Sequence, residues 1–293
     1  MNISRITIIG LGLIGGSLGM ALKRANRNDI EITGCARRIQ VAERAVKLGA
    51  VDKTEARLEK AVADSNVVIV ATPVMSVRGV FQQIADHLPE NAIVSDVGST
   101  KYEIMQWAEQ ILPSTIDFIG GHPMTGKETS GIDAAEADLF DGCIYCLTPS
   151  GKAGKESVNA MERLAKSIGA SPVFIDPIQH DRLVAGISHL PLLLSSALVA
   201  MLADSGHWSN MSKLAASGYR DTTRLASGNS DLYMGICTTN RQAIIEWLDR
   251  YIAQLKECRR LIAEDEEALR EFFIKAGQIR SDWLHNDGRR FLT

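Results

Sequence analysis

The chain has 293 residues, 45% of them hydrophobic and 23% charged, with a formal net charge of -3 at pH 7. That balance excludes a disordered chain, and the lack of any basic block excludes a nucleic-acid binder, which needs a concentrated Lys/Arg footprint. The length suits about two domains.

The N-terminus reads MNISRITIIGLG and enters a strand at 5–9 directly. It lacks the charged and apolar regions of a signal segment, so a cytoplasmic protein is expected. Directly after this strand stands Gly10-Leu11-Gly12-Leu13-Ile14-Gly15, and a helical run follows. In such a G-x-G-x-x-G, the first glycine permits a tight turn and the second lets backbone approach a pyrophosphate. The third lets helix and strand pack closely. The helix N-terminus then offers free N–H groups to the phosphates. A second strand at 30–35 completes the βαβ unit, and at its end a dinucleotide site that prefers NAD usually places an acid for the ribose 2′-hydroxyl. Here Arg37 and Arg38 stand instead. A guanidinium pairs with a 2′-phosphate, so the expected cofactor is NADP, with NAD as the alternative.

Further apolar runs at 67–71, 92–97 and 118–120 alternate with amphipathic segments at 40–48, 77–88 and 102–111. Strands that are apolar on both faces belong in a parallel sheet covered by helices. A strand at 143–148, a helix at 155–168 and a last strand at 172–175 end this pattern, and long helical stretches follow at 181–202, 210–217, 231–263 and 266–276. The expected fold is α/β. An N-terminal Rossmann domain at 1–176, with a doubly wound, mostly parallel sheet, precedes an all-helical substrate-binding and dimerisation domain at 177–293. Residues 183–202 carry no charged side chain, but His189 and Pro191 lie near their centre. They read as a core or interface helix rather than a membrane span.

Among the six histidines, His87, His207 and His285 lie in polar or surface settings, and His180 opens the helical part beside Asp181. His122 stands in GGHPMTG just after an apolar run, at a strand end where open α/β sheets bind ligands, and a histidine there can take a proton from an alcohol. A loop histidine with a structural role is the alternative. Ser99, in DVGSTK after another strand, can reach the same crevice or cap the next helix. His189 lies on the uncharged helix, where a satisfied core histidine is the plainer reading. Arg220 and Arg224 suit a carboxylate-bearing substrate, with a surface Arg–Asp network as the alternative. The five cysteines are scattered and odd in number, as for free thiols. Cys143 and Cys146 have C-x-x-C spacing but no second pair or nearby histidine, so no metal site is expected.

Taken together, GLGLIGGS at 10–17, ATPV at 71–74, DVGSTK at 96–101, GGHPMTGKETSG at 120–131, SHLP at 188–191 and ASGYRDTTRLASGN at 216–229 resemble the prephenate/arogenate dehydrogenase family of tyrosine biosynthesis. The resemblance covers nearly the whole chain. It implies a homodimer joined through the helical domain and a small-molecule substrate, whose ring alcohol is oxidised as the ring carboxylate leaves as carbon dioxide. It makes His122 the acceptor or base for the ring hydroxyl, and Ser99 a second partner of that hydroxyl that helps orient His122. It gives Arg224 a substrate carboxylate and His189 a place in the substrate pocket. It sets Thr72, Pro73 and Gly98 against the cofactor. Two positions depart from a common family pattern: Leu192 stands where many members have a histidine, and Tyr233 where many have tryptophan. Some arogenate-using, NADP-linked members share these features and Arg37, which points to arogenate over prephenate. The other readings are an NAD-linked prephenate dehydrogenase, a β-hydroxyacid dehydrogenase and a non-catalytic NADP-binding module. No lysine motif of the β-hydroxyacid type follows residue 176.

Overall fold

The computed structural model describes residues 3–25 and 29–286. The chain divides into two compact units, Met1–Arg241 and Gln242–Thr293. The first unit opens with β1 (Arg5–Ile9), α1 (Leu13–Arg24), β2 (Glu31–Cys35), α2 (Ile39–Lys47), β3 (Lys53–Thr54), α3 (Leu58–Val62), β4 (Val67–Val70) and α4 (Val74–Ile84). It continues with β5 (Ile93–Asp96), α5 (Tyr102–Ile111), β6 (Asp117–Pro123), β7 (Ile144–Pro149), α6 (Lys155–Ser167) and β8 (Ser171–Phe174). The helices α7 (Pro177–Val184), α8 (Leu190–Ala203), α9 (Trp208–Leu214), α10 (Ser217–Thr223) and α11 (Ser230–Thr239) follow. Most of α12 (Arg241–Glu264) and all of α13 (Glu266–Asn286) form the second unit.

All eight strands form one sheet in the order β3-β2-β1-β4-β5-β6-β7-β8. Every pairing is parallel except β6 with β7. The period of two along each strand divides the core. Ile6, Ile8, Val67, Ile69 and Ile93 pack on one face, with Leu18, Leu22 and Phe140. Ile9, Val68, Val70 and Val94 pack on the other, with Val77, Phe81 and Phe118. This is why the strands read as continuous apolar runs: helices cover both faces. The chain order reverses between β1 and β4, so the carboxyl ends of these strands flank the crevice where such sheets bind ligands.

Several expected boundaries move. The strand expected at 118–120 runs on to Pro123, so His122 is a strand residue in register with Cys146. The helix expected at 231–263 breaks at Asn240, whose buried side chain is held by groups on α7 and the following turn. The helix expected at 210–217 is two helices, α9 and α10, and the helix expected at 266–276 extends to Asn286. Between α7 and α8 the turn Ala185–His189 is a π-helix. It lies where Pro191 withholds an N–H from the helix ladder.

Close packing of α1 depends on Gly19. A Cβ built there would lie 1.9 Å from the carbonyl oxygen of Ala50. Gly19→Ala is therefore expected to lower unfolding free energy by about 1–3 kcal/mol or more, the usual range for overpacking. Urea denaturation of the variant against the wild type measures this, and equal midpoints would contradict it.

Candidate active site

The glycine loop forms one wall of the crevice. Gly10 has φ +102°, and a Cβ on it would sit 2.5 Å from the Ala71 carbonyl oxygen. A Cβ on Gly15 would sit 2.0 Å from the Gly10 carbonyl oxygen, whereas one on Gly12 would meet nothing within 4 Å. Two positions are thus closed by backbone, and the middle one is open to an approaching group. Gly12 is the N-cap of α1 and no side chain caps that helix, so the N–H groups of its first turn, around Leu13 and Ile14, lack a side-chain acceptor. Across the crevice, Pro73 is the N-cap of α4, and the Thr72 hydroxyl is buried without a partner. An unpaired buried hydroxyl beside bare helix amides fits a dinucleotide pyrophosphate. Arg37 and Arg38 are exposed at the end of β2, and neither side chain has a hydrogen-bond or ion-pair partner among the described residues. Gly98 is committed elsewhere: its N–H donates to Asp96 at 2.7 Å.

Beneath the ends of β5 and β6 lies a buried ion pair, Lys101 with Asp96. The Lys101 ammonium also donates to the Gly121 carbonyl at 2.6 Å, and the Gly121 N–H donates to Asp96 at 3.2 Å. Burial is the main cause that pulls the Lys101 pKa down, opposed by Asp96. His122 follows directly. Its Nδ1 lies 2.9 Å from His180 Nε2, and His180 Nδ1 lies 2.7 Å from Asp181 Oδ1. The same carboxylate accepts the backbone N–H groups of Lys101 at 2.7 Å and Tyr102 at 2.9 Å. Asp181 thus caps α5 from α7. The expected cap, Ser99, makes no such bond, because its place at the helix end is taken by a carboxylate from distant sequence. No hydrogen bond joins Ser99 to His122 either; the ring is held by His180. Burial first, then His180, Lys101 and His189, push the His122 pKa well below the ordinary value, so the ring is neutral at pH 7.

His189 is 1% exposed. The Asn240 amide nitrogen donates to the Asp181 carbonyl at 2.7 Å and lies 3.2 Å from His189 Nδ1. That nitrogen is a donor, so Nδ1 is the acceptor and the ring hydrogen sits on Nε2. Nε2 is buried and has no partner, so a donor stands unpaired in the interior. This revises the reading of His189 as a satisfied core residue. Burial brings its pKa down to about 4.

A second group forms around Arg224, which pairs with Glu128 at 2.7 Å and is half-exposed. Tyr233 donates its hydroxyl to the Leu225 carbonyl at 2.5 Å, and burial raises its pKa while Arg224 opposes the rise. Arg220 pairs with Asp221 on the exposed surface at 3.2 Å, as in the alternative reading for it. Leu192 is buried. Sequence reasoning missed Asp96, Lys101, Glu128, His180, Asp181 and Asn240. For His180 and Asp181 a signal existed: an ionisable pair heading a helix otherwise without acids.

The glycine loop, the split sheet and a strand-end histidine held by a His–Asp pair define a Rossmann-type oxidoreductase with a helical C-terminal part. Family models bear this out. Residues 18–174 match "Prephenate dehydrogenase, nucleotide-binding domain", and residues 176–275 match "Prephenate dehydrogenase, dimerization domain". The prephenate dehydrogenase of Bacillus subtilis (strain 168) is 34% identical over 285 residues, 96% of this chain and 76% of that protein. A crystal structure of prephenate dehydrogenase from A. aeolicus, in complex with hydroxyphenyl propionate and NAD+, superposes with TM-score 0.90 at 27% identity, covering 96% of this chain and 99% of that one. The Synechocystis arogenate dehydrogenase structure gives TM-score 0.81 at 32% identity, with 95% and 99% covered. The chain belongs to the prephenate dehydrogenase family.

The buried His189 has a consequence for stability. Its folded pKa of about 4 lies below the ordinary unfolded value near 6.5, so its contribution is complete above that value and is lost as pH falls towards 4. Over this window the loss is on the order of 3 kcal/mol at about 1.4 kcal/mol per pH unit. Unfolding free energies of wild type and His189→Gln, measured at pH 7 and pH 4.5, should differ in pH slope by roughly that rate. Parallel slopes would contradict the buried neutral ring.

Proposed function

We propose that the protein oxidises and decarboxylates L-arogenate, and prephenate less readily, with NADP+ as hydride acceptor, and that it works as a homodimer. The observation that carries the reading is His122, neutral and half-buried at the crevice end of β6, with Nδ1 held and Nε2 left for a ligand. His122 takes the proton of the ring hydroxyl, and a nicotinamide bound along the glycine loop supplies the hydride acceptor. As the ring carboxylate leaves as carbon dioxide, its bonding pair enters the ring. The resulting phenolate recovers the proton from His122, so the base ends as it began. Ser99 offers the hydroxyl a second partner. Arg224 can exchange Glu128 for a substrate carboxylate, with Tyr233 beside it, and the His189 Nε2–H is a further donor for an anion.

NADP is favoured by two unpartnered guanidinium groups at the end of β2 and by the missing acid. Arogenate is favoured by the buried aliphatic Leu192 in place of a histidine, and by Tyr233. The NAD+ complex of the A. aeolicus relative favours the second reading, an NAD-linked prephenate dehydrogenase. We assign substrate binding and dimerisation to residues 177–293. In support, the segment Pro177–Ala203 is apolar enough to cross a bilayer by length and composition, yet only about a third of its most apolar stretch is buried within the chain. On α12, Ile245, Ile252, Leu255 and Ile262 are exposed at the three- and seven-residue spacings of a helix–helix seam.

The deciding experiment mixes the protein with arogenate or prephenate and each oxidised cofactor, then follows nicotinamide absorbance. His122→Asn should keep substrate affinity but lower kcat by about 10²–10⁴-fold, the usual worth of general-base help. Normal turnover in that variant would remove His122 from the chemistry. Arg37→Ala should raise the KM for NADP+ roughly 10- to 100-fold, as expected for lost hydrogen bonds to a charged group, and leave that for NAD+ nearly unchanged. Equal losses for both cofactors would show that Arg37 does not read the 2′-phosphate.

A further inference from the structure

We propose that His180 and Asp181 are positioning residues that fix the hydrogen of His122 on Nδ1 and so leave Nε2 as the proton acceptor. This rests on the reading of His122 as the base. The argument runs inward from the carboxylate. Asp181 can only accept, and it receives three N–H groups: those of Lys101, Tyr102 and the His180 ring at Nδ1. A His180 ring that carries its single hydrogen on Nδ1 presents a lone pair at Nε2. That atom lies 2.9 Å from His122 Nδ1, so His122 is the donor there and its own lone pair is on Nε2. The two rings meet edge to face, 68° apart with centroids at 5.1 Å.

The surroundings make this bond matter. The groups facing His122 from neighbouring elements are Lys101 ahead of α5, His180 on α7, and His189 at the end of the π turn. Asp96 is taken up by Lys101, and Cys146 on β7 is a thiol whose own pKa is raised by burial. None of these welcomes a positive ring. Only Asp181, acting through His180, offers negative charge to an imidazolium at His122. When Nε2 gains a proton, the Nδ1–H bond to His180 strengthens and the carboxylate stabilises the new charge. The same carboxylate holds the start of α5, directly after the turn that carries Ser99. One anchor therefore sets both the tautomer of the base and the turn beside it. The anchor is itself steadied, since Asn240 donates to the Asp181 backbone carbonyl.

Asp181→Asn should reverse the arrangement. An amide nitrogen in place of Oδ1 gives up the Lys101 N–H bond and donates to His180 Nδ1, which drives the His180 hydrogen to Nε2 and the His122 hydrogen to Nε2 in turn. In a hydrolase triad of like design, a carboxylate-to-amide change costs about 10⁴ in kcat through such a wrong tautomer. The test uses full-length protein with ¹⁵N-labelled histidine, two-bond proton–nitrogen correlation spectra, and His122→Asn to assign the ring. We expect the Nδ1–H form of His122 in the wild type and the Nε2–H form in Asp181→Asn, with kcat about 10²–10⁴-fold lower and KM within a few fold. His180→Gln, whose side-chain carbonyl can still accept from His122 Nδ1, should retain more turnover than His180→Leu. If Asp181→Asn does not fold, the wild-type spectrum and the His180 pair carry the test. An Nε2–H ring in the wild type, an unchanged tautomer in Asp181→Asn, or full activity in His180→Leu would overturn the proposal. The expected tautomers in a protein that oxidises neither acid would support the relay and sink the functional reading instead.

Discussion

The ammonium of Lys101 has no exposed surface, and the site is arranged around its burial. Taking such an ion out of water costs several kcal/mol even after relaxation, so it persists only where a carboxylate and a carbonyl receive it together. Asp96 and Gly121 do so from the ends of β5 and β6. The two strand ends cannot then drift apart, and they are also too close for a larger residue: a Cβ on Gly121 would lie 2.5 Å from the Asp96 carbonyl oxygen. The next residue in the chain is His122. The backbone N–H of Lys101 meanwhile donates to Asp181, so one residue ties the sheet to α7 through both its ends. A buried pair of this kind adds little net stability. Its effect here is positional: it sets where the imidazole of His122 stands and which charges it faces.

Much of the fold was legible because it is written locally. Strands buried on both faces are apolar at every position, and β4, with sequence VVIV and every residue buried, shows this without exception. Helix α5 was read with the bounds it has, since its apolar spacing is regular and a proline follows it closely. β3 left no trace because its two residues, Lys53 and Thr54, are exposed at the sheet edge and carry no apolar pattern. The antiparallel pairing of β6 with β7 was equally silent, since an apolar run specifies burial and not direction. The break at Asn240 is a tertiary event. That asparagine serves Asp181 and His189, 59 and 51 residues away, and no helix propensity encodes such a demand.

The candidate site divides along the same line. The glycine loop could be read from six consecutive residues because each glycine answers a backbone constraint within the loop or the adjoining strand. His122 could be placed because it follows a strand. His180 was passed over because its partner lies 58 residues earlier, although the two are neighbours in space. Ser99 misled for the opposite reason. A serine ahead of a helix is a good local candidate for a cap, but a carboxylate with two oxygens, supplied 80 residues away, satisfies two amides at once and displaces it. Arg224 and Arg220 looked alike in sequence, and the structure separates them by partner: Glu128 from the loop after β6 for one, its own neighbour Asp221 for the other.

What joins these pieces is a shortage of acceptors. Around His122 stand the Lys101 ammonium, the unpaired Nε2–H of His189, and an imidazole whose own carboxylate is already filled by backbone donors. Such a region is short of negative charge, and this shortage, together with burial, holds His122 below its ordinary basicity. For a base, that is a handicap. On the proposed function, a substrate carboxylate placed among these donors would supply the missing charge and raise the proton affinity of the ring beside it. The group that needs deprotonating then arrives on the molecule that brings the anion. On that function the ring would gain its full basicity only beside a substrate of the right charge.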